Sequence, residues 1–284
     1  MMKLPFQPDF SGKVAVITGG AGVLCREFCK ALAACGAKVV ILNRTLSRAE
    51  ALAVEIRADG GEALAVQVDV TNLEAVQKAH EAVLEAYGRC DILVNGAGGN
   101  HPAATVDDEY FSFDTMNDLA KKSFFDLTPD AFGAVFELNL MGTLLPTQAF
   151  AKDMVENGHG TIINISSMNA FTPLTKIPAY SAAKSGVSNF TEWLAVHFSQ
   201  TGIRVNAIAP GFFSTAQNAK LLWNEDGTPT ARTGKILAAT PMGRFGVPEE
   251  LIGALLFLTD DNCSGFMTGV VLPVDGGFRA YSGV

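Results

Sequence analysis

Tyr180 and Lys184 stand four residues apart in the segment YSAAK, a spacing that puts both side chains on one helical face about 6 Å apart along the axis. A free phenol titrates near 10 and is a poor acid–base group at neutral pH. An ammonium beside it stabilises the phenolate and draws that value toward the working range. Ser167, at the end of TIINISS, adds a hydroxyl that can donate to an oxygen gaining or losing charge. Together the three side chains suit proton transfer at a carbonyl or secondary alcohol. Tyr-x-x-x-Lys is also a common surface or core pair on helices, so the rest of the chain must decide.

The elements that would position these residues alternate along the sequence. VAVIT, KVVILN, EALAVQVDV, DILVNGAG, TIINISS, IRVNAIAPG and GVVLPVDGG are short, largely apolar runs, and helical stretches separate them. Helices are expected over Arg26–Ala34, Ser47–Ala58 and Asn72–Tyr87, and over a stretch containing Tyr180 to Ser199. Continuous apolar strands with helical crossovers predict an α/β fold, a Rossmann-type, doubly wound parallel sheet of about seven strands with helices on both faces. With no repeat, linker or charge block, residues 1–284 are expected to form a single dinucleotide-binding and catalytic domain. Two stretches break the alternation: a polar and aromatic insertion at about 99–130 and a loop at about 212–247. Loops of that length in a compact domain are usually functional.

The first strand runs into TGGAGVLC and then directly into a helix. Gly19, Gly20 and Gly22 allow a tight turn and close approach to a pyrophosphate, with the helix N-terminus supplying N–H donors. An ordinary strand–helix turn is the alternative. About twenty residues on, where an acidic residue would bind the adenosine ribose, the chain has Asn43 and Arg44. A guanidinium there can pair with a 2′-phosphate, which favours NADP(H) slightly within a general NAD(P) expectation. Alternatively Arg44 is a solvated turn residue and Asn43 meets the free ribose of NAD. Asp69 and Val70, placed at the end of the third strand, are candidates for holding adenine, with a helix cap as the competing role of Asp69.

The chain resembles the short-chain dehydrogenase/reductase family over nearly its whole length, from Gly12 to Gly277. The matching segments are TGGAGVLC, DV at 69 and 70, NGAG at 95 to 98, Asn139 in ELNLMG, Ser167, YSAAK, RVNAIAPG and the late VDGG. The resemblance implies that Tyr180 is the general acid or base and that Lys184 lowers its pKa and holds the nicotinamide ribose. Ser167 would polarise the substrate carbonyl, and Asn139 would anchor a water joining Lys184 to solvent. Gly19, Gly20, Gly22, Val23, Leu24, Asn95, Ala97 and Gly98 would line the cofactor, with Pro210, Gly211, Phe213 and Thr215 at the carboxamide. Two departures stand out. The glycine motif commonly reads TGxxxGxG, whereas Val23 and Cys25 occupy its later glycine positions and Gly22 comes one residue early. NGAG replaces the usual NNAG.

The GAGGNHP opening of the insertion, with the FRAYSGV tail, is similar to the branch described as D-mannonate oxidoreductases. That implies a sugar-acid substrate, D-mannonate or D-fructuronate, with Asn100, His101, Asn169 and Lys176 as candidate contacts beside Ser167 and Tyr180. An exposed polar loop is the alternative for these four. Other polyols or keto-acids, such as gluconate and 5-ketogluconate, or an acyl-chain ketone remain open, as does a binding protein without catalysis. The resemblance also implies a homotetramer built on the helices flanking Asn139 and the C-terminal strand.

Bulk properties narrow the field. A net charge of −8 with a pI near 5.0 argues against nucleic acid. The N-terminus lacks a signal-like apolar core and no run is long enough to span a membrane, so a cytoplasmic enzyme is expected. The five cysteines show no metal-like pairing and are expected to be reduced core residues. His101 has no second ligand at metal spacing, and His80, His159 and His197 look like ordinary helix or turn residues. Trp193 and Phe198 suit the core or a subunit interface.

Overall fold

A computed structural model describes residues 8–215 and 222–283. Seven parallel strands form one sheet in the order β3-β2-β1-β4-β5-β6-β7. They are β1 Val14–Thr18, β2 Lys38–Asn43, β3 Glu62–Gln67, β4 Ile92–Asn95, β5 Gly160–Ile165, β6 Ile203–Pro210 and β7 Val271–Val274. The strand order reverses between β1 and β4, which opens a crevice at their carboxyl ends.

Alternation along β1 divides the core between the two faces. Val14 and Val16 pack with Val40, Leu42, Val76, Phe150 and Met154 on one side. Ala15 and Ile17 pack with Val39, Ile41, Phe28, Leu32 and Leu255 on the other. Helices α1 Cys25–Ala34 and α2 Leu46–Ala58 cover the second face, and α3 Leu73–Tyr87 the first. Asn72, expected as the first residue of α3, instead caps it by accepting the Ala75 N–H at 2.9 Å. Gly88 ends it in the left-handed region, with φ +73°.

The 99–130 insertion carries the short helix α4 Phe113–Asn117 and two 3₁₀ turns. It leads into α5 Pro129–Phe136, where Thr128 caps and Pro129 starts the helix. α6 Gly142–Asn157 follows after a wide π turn, Glu137–Met141. α7 Pro178–His197 carries Tyr180 and Lys184, and beyond β6 come α8 Ala231–Ala238 and α9 Ile252–Thr259. Residues 216–221, in the middle of the 212–247 loop, lie outside the described residues. Among the described residues no helix is long and apolar enough to cross a membrane.

Candidate active site

β5 ends at Ile165, and the chain immediately turns its polar groups toward α7. The Ile165 carbonyl accepts the Lys184 ammonium at 2.7 Å. Ser166 reaches the Ser188 hydroxyl at 2.7 Å. Ser167 is hydrogen-bonded to Tyr180 and also accepts the Asn169 N–H at 3.2 Å. Lys184 Nζ lies 5.7 Å from the centre of the Tyr180 ring. The predicted trio therefore meets in space, and the first turns of α7 supply two of its members.

Burial dominates the local electrostatics. It pushes the Tyr180 phenol up from its ordinary value, with the Ser167 hydrogen bond working in the opposite direction, so the expected lowering by Lys184 is not what the cofactor-free site shows. Burial also lowers the Lys184 ammonium, from 10.5 to about 8, with Cys25 acting against that shift. At neutral pH the pair is thus a neutral phenol beside an ammonium.

Asn139 sits within the π turn and is fully buried. Its amide donates to Gly99 O at 2.7 Å and Val135 O at 2.8 Å, and its oxygen accepts the Gly99 N–H at 3.1 Å. The extra residue of a π turn is a common device for aiming a side chain at a functional site. Here it clamps the start of the insertion to the helix junction. Gly98 sits within that clamp: a Cβ on it would lie 2.7 Å from Asn139 Oδ1 and 3.0 Å from Lys184 Nζ.

The carboxyl ends of β1 and β4 form a glycine cradle. Gly19 has φ +61°, and a Cβ there would lie 2.9 Å from the Ala97 Cα. Thr18 Oγ1 accepts the N–H groups of Gly96 and Ala97 at 3.1 and 3.2 Å, holding the loop after β4 against the first glycine turn. Gly20 and Gly22 complete that turn through bonds to Leu42 O and Gly19 O. Leu24 precedes α1 in helical conformation, and Val23 is half-exposed beside it. This narrow cleft at a helix N-terminus has the shape and donors a dinucleotide pyrophosphate requires.

The two departures from the family pattern meet at one contact, between Cys25 and Gly96. Cys25 is buried, and a Cβ on Gly96 would lie 2.2 Å from its Sγ. The thiol occupies space that a side chain at position 96 would need, so the glycine missing from the first loop reappears in the second. Burial raises the Cys25 thiol to about 12. It is therefore a neutral packing group. Cys29 and Cys90 are also buried, Cys35 and Cys263 are half-buried, and all five are unbridged.

The remaining predicted residues divide. Asp69 and Val70 follow β3, which ends three residues earlier than expected, at Gln67. Asp69 accepts the Thr71 N–H and hydroxyl at 3.0 and 2.7 Å, forming a local turn, while the helix cap falls to Asn72. Asn43 donates to Thr45 O at 2.9 Å, and Arg44 is exposed close to Asp69, whose carboxyl it helps to lower after the two Thr71 bonds. Asn95 is buried and bonds Thr147 and Asn164, each at 2.9 Å. Gly211 donates to Val274 O at 2.9 Å and Phe213 bridges to Gly246, so the loop leaving Pro210 toward Thr215 is pinned to its neighbours.

Among the substrate candidates, Asn169 is buried beside Ser167, and its Oδ1 has no partner. Asn100 and His101 face local structure: Asn100 donates to Thr105 Oγ1 at 3.0 Å, and His101 Nδ1 accepts the Ala103 N–H at 3.1 Å to cap a short turn. Lys176 donates to Asp107 O and lines a cleft before the start of α7 with Arg232 and Lys235. Sequence reasoning passed over Arg232, which lies in a stretch without periodic pattern. Among the described residues no cluster of His, Cys, Asp or Glu could hold a metal.

A dinucleotide cradle at the sheet's switch point beside a Ser–Tyr–Lys cluster defines a nicotinamide-dependent oxidoreductase acting on CH–OH groups. The family model described as short chain dehydrogenase matches residues 13–226, and the chain belongs to that family. It is 53% identical over 283 residues to an uncharacterised oxidoreductase of Haemophilus influenzae, covering 100% of this chain and 99% of that one. A crystal structure from the same organism, provisionally named a D-mannonate oxidoreductase, contains bound NAD. It is 54% identical, superposes with a TM-score of 0.93, and covers 97% of this chain and 98% of its own. A Burkholderia cenocepacia gluconate 5-dehydrogenase in complex with NADP and tartrate is 30% identical, with a TM-score of 0.82 over 98% of this chain and 99% of its own.

Proposed function

We propose that this protein transfers a hydride between a nicotinamide dinucleotide and a secondary alcohol or ketone of a sugar acid, with D-mannonate and D-fructuronate as the substrate pair. The observation that carries the chemistry is the convergence of Ser167, Tyr180 and Lys184 where β5 meets α7. The provisional name of the Haemophilus influenzae structure supports the substrate pair.

The bound cofactor supplies the hydride acceptor or donor. Ser167 donates to the substrate oxygen and fixes its distance from Tyr180. Tyr180, neutral at rest, gives its phenolic proton to that oxygen in reduction and takes it back in oxidation. Lys184, held by Ile165 O, keeps a positive charge below the phenol and faces the Gly98 backbone, where a ribose would lie. Asn139 holds the start of the insertion in place at Gly99 and would anchor a water joining Lys184 to solvent. Asn169, with an unpartnered buried oxygen, is positioned to accept from a substrate hydroxyl.

Arg44, with no carboxylate at position 43, supports a slight preference for NADP(H). A homotetramer would cover apolar side chains now exposed on α7, among them Trp193 and Val196. The gluconate 5-dehydrogenase neighbour supports gluconate as the second substrate candidate.

The test is Tyr180→Phe, assayed at 340 nm with a panel of sugar acids, polyols and ketones and both cofactors. Turnover is expected to fall roughly a thousandfold or more while the cofactor still binds. A variant with near-normal rate sinks the mechanism, and a wild type that turns over no sugar acid sinks the substrate assignment.

A further inference from the structure

The charged lining of a cleft next to the start of α7 comes from three segments far apart in the chain. Glu109 comes from the insertion, Lys176 and Ile177 from the loop entering α7, and Arg232 and Lys235 from α8. Ile177 is the residue before α7 and stands three positions ahead of Tyr180, so the cleft adjoins the helix end that carries the reactive phenol.

Three cations face a single carboxylate here, in a chain whose net charge is −8. Two of the three are already engaged. Lys235 grips Glu109 at 2.9 and 2.8 Å, tying α8 to the insertion, and Lys176 donates to Asp107 O. Arg232 makes no ion pair or hydrogen bond among the described residues; the Glu109 carboxyl is lowered chiefly by the Lys235 hydrogen bond, and Arg232 adds to this only after Lys235 and Lys176. Phe212, Ile236 and Phe278 form apolar walls, which strengthen any charge pairing inside.

The position of Arg232 is unfavourable for the helix that carries it. Thr230 caps α8, so Arg232 is the second residue of its first turn, where the helix field disfavours a cation and favours an anion. A bound carboxylate would satisfy both the guanidinium and the helix end, through the planar two-pronged contact that Arg provides.

We propose that Arg232 is the carboxylate anchor of the substrate site, the residue that selects hydroxy acids over neutral polyols. The assignment rests on the sugar-acid function proposed above. Substrate enters with its carboxylate against Arg232 and its reacting carbon toward Ser167 and Tyr180. The Lys235–Glu109 pair holds the insertion and α8 together around it.

The experiment compares wild type with Arg232→Gln, Arg232→Lys and Arg232→Glu by steady-state kinetics on D-mannonate and on the neutral alditol D-mannitol. The KM for the acid is expected to rise roughly ten- to a hundredfold in Arg232→Gln. Arg232→Lys should fall between, and Arg232→Glu should lose saturation altogether. The KM for the cofactor and the rate on the alditol should stay within experimental error of wild type, and the melting temperature should not fall, because the side chain is exposed and the first turn of α8 disfavours a cation. An Arg232→Gln enzyme with the wild-type KM for the acid overturns the anchor while leaving the sugar-acid function intact. A wild type that turns over no sugar acid overturns the function first and the anchor with it.

Discussion

Gly96→Ala isolates the packing compensation beneath the cofactor loop. The added Cβ would lie 2.2 Å from Cys25 Sγ, 2.9 Å from Thr18 O and 3.6 Å from Cys25 Cβ. Ordinary contacts of this kind fall at about 3.5–4.0 Å, so the sulfur must retreat by more than about one ångström. Its room to do so is small, because Cys25 opens α1, whose Phe28 and Cys29 are fully buried against the sheet. Overpacking of this kind costs about 1–3 kcal/mol. At about 2 °C per kcal/mol for a chain of this size, the melting temperature should fall by about 2–6 °C. Cys25→Gly alone should cost about 2 kcal/mol, from a glycine at the helix start and the loss of a buried group. Combined, the two substitutions should recover the sulfur clash but not the Thr18 contact. A double-mutant cycle by urea unfolding, with and without NAD, should therefore give a coupling of at least about 1 kcal/mol. A Gly96→Ala protein melting within about 1 °C of wild type, or strict additivity in the cycle, would refute the compensation.

Asn139→Ala removes three hydrogen bonds and strands both polar groups of Gly99; a loss of about 2–4 kcal/mol in stability is expected by denaturant unfolding. The same variant should show faster amide exchange at the start of the insertion, and unchanged exchange there would count against the clamp. Arg44→Ala should weaken NADP(H) by about tenfold or more and NAD(H) by less than about twofold, measured as paired dissociation constants; equal losses reject the phosphate role. Lys184 gives a pH signature in the cofactor-free protein. With its folded pKa near 8 and its ordinary value at 10.5, the folded chain releases this proton first. The burial penalty is full below pH 8 and is relieved as pH rises, so this group makes the fold more stable across pH 8–10. Lys184→Met should show a smaller gain over that window in urea midpoints, and an identical slope would argue that the ammonium is not penalised.

Local patterns carried much of this protein. The apolar runs VAVIT and KVVILN are strands with those bounds because β-branched residues buried on both faces suit only a covered parallel sheet. The four-residue spacing of Tyr180 and Lys184 brings the ammonium to 5.7 Å from the centre of the phenol ring because it is a property of one helix. Boundaries at polar residues were less legible. Asp69 competes with Asn72 for the start of α3, and only the backbone geometry decides between two good caps. Asn100 and His101 were plausible substrate contacts by type, yet neighbouring backbone and side-chain groups claim atoms of both.

What tertiary structure decided are the pairings between residues with no shared period. Cys25 and Gly96 read as two separate oddities until β1 and β4 lie side by side, when sulfur and glycine turn out to share one volume. Asn139 reaches Gly99 only because a π turn rotates it toward the loop after β4. Arg232, Lys176 and Glu109 come from three segments of irregular pattern, and their charges add only once those segments enclose the same cleft. Periodicity along a chain reports which way a residue points within its own element. Volume exclusion and charge are properties of places in space, and a place is known only after the chain has folded around it.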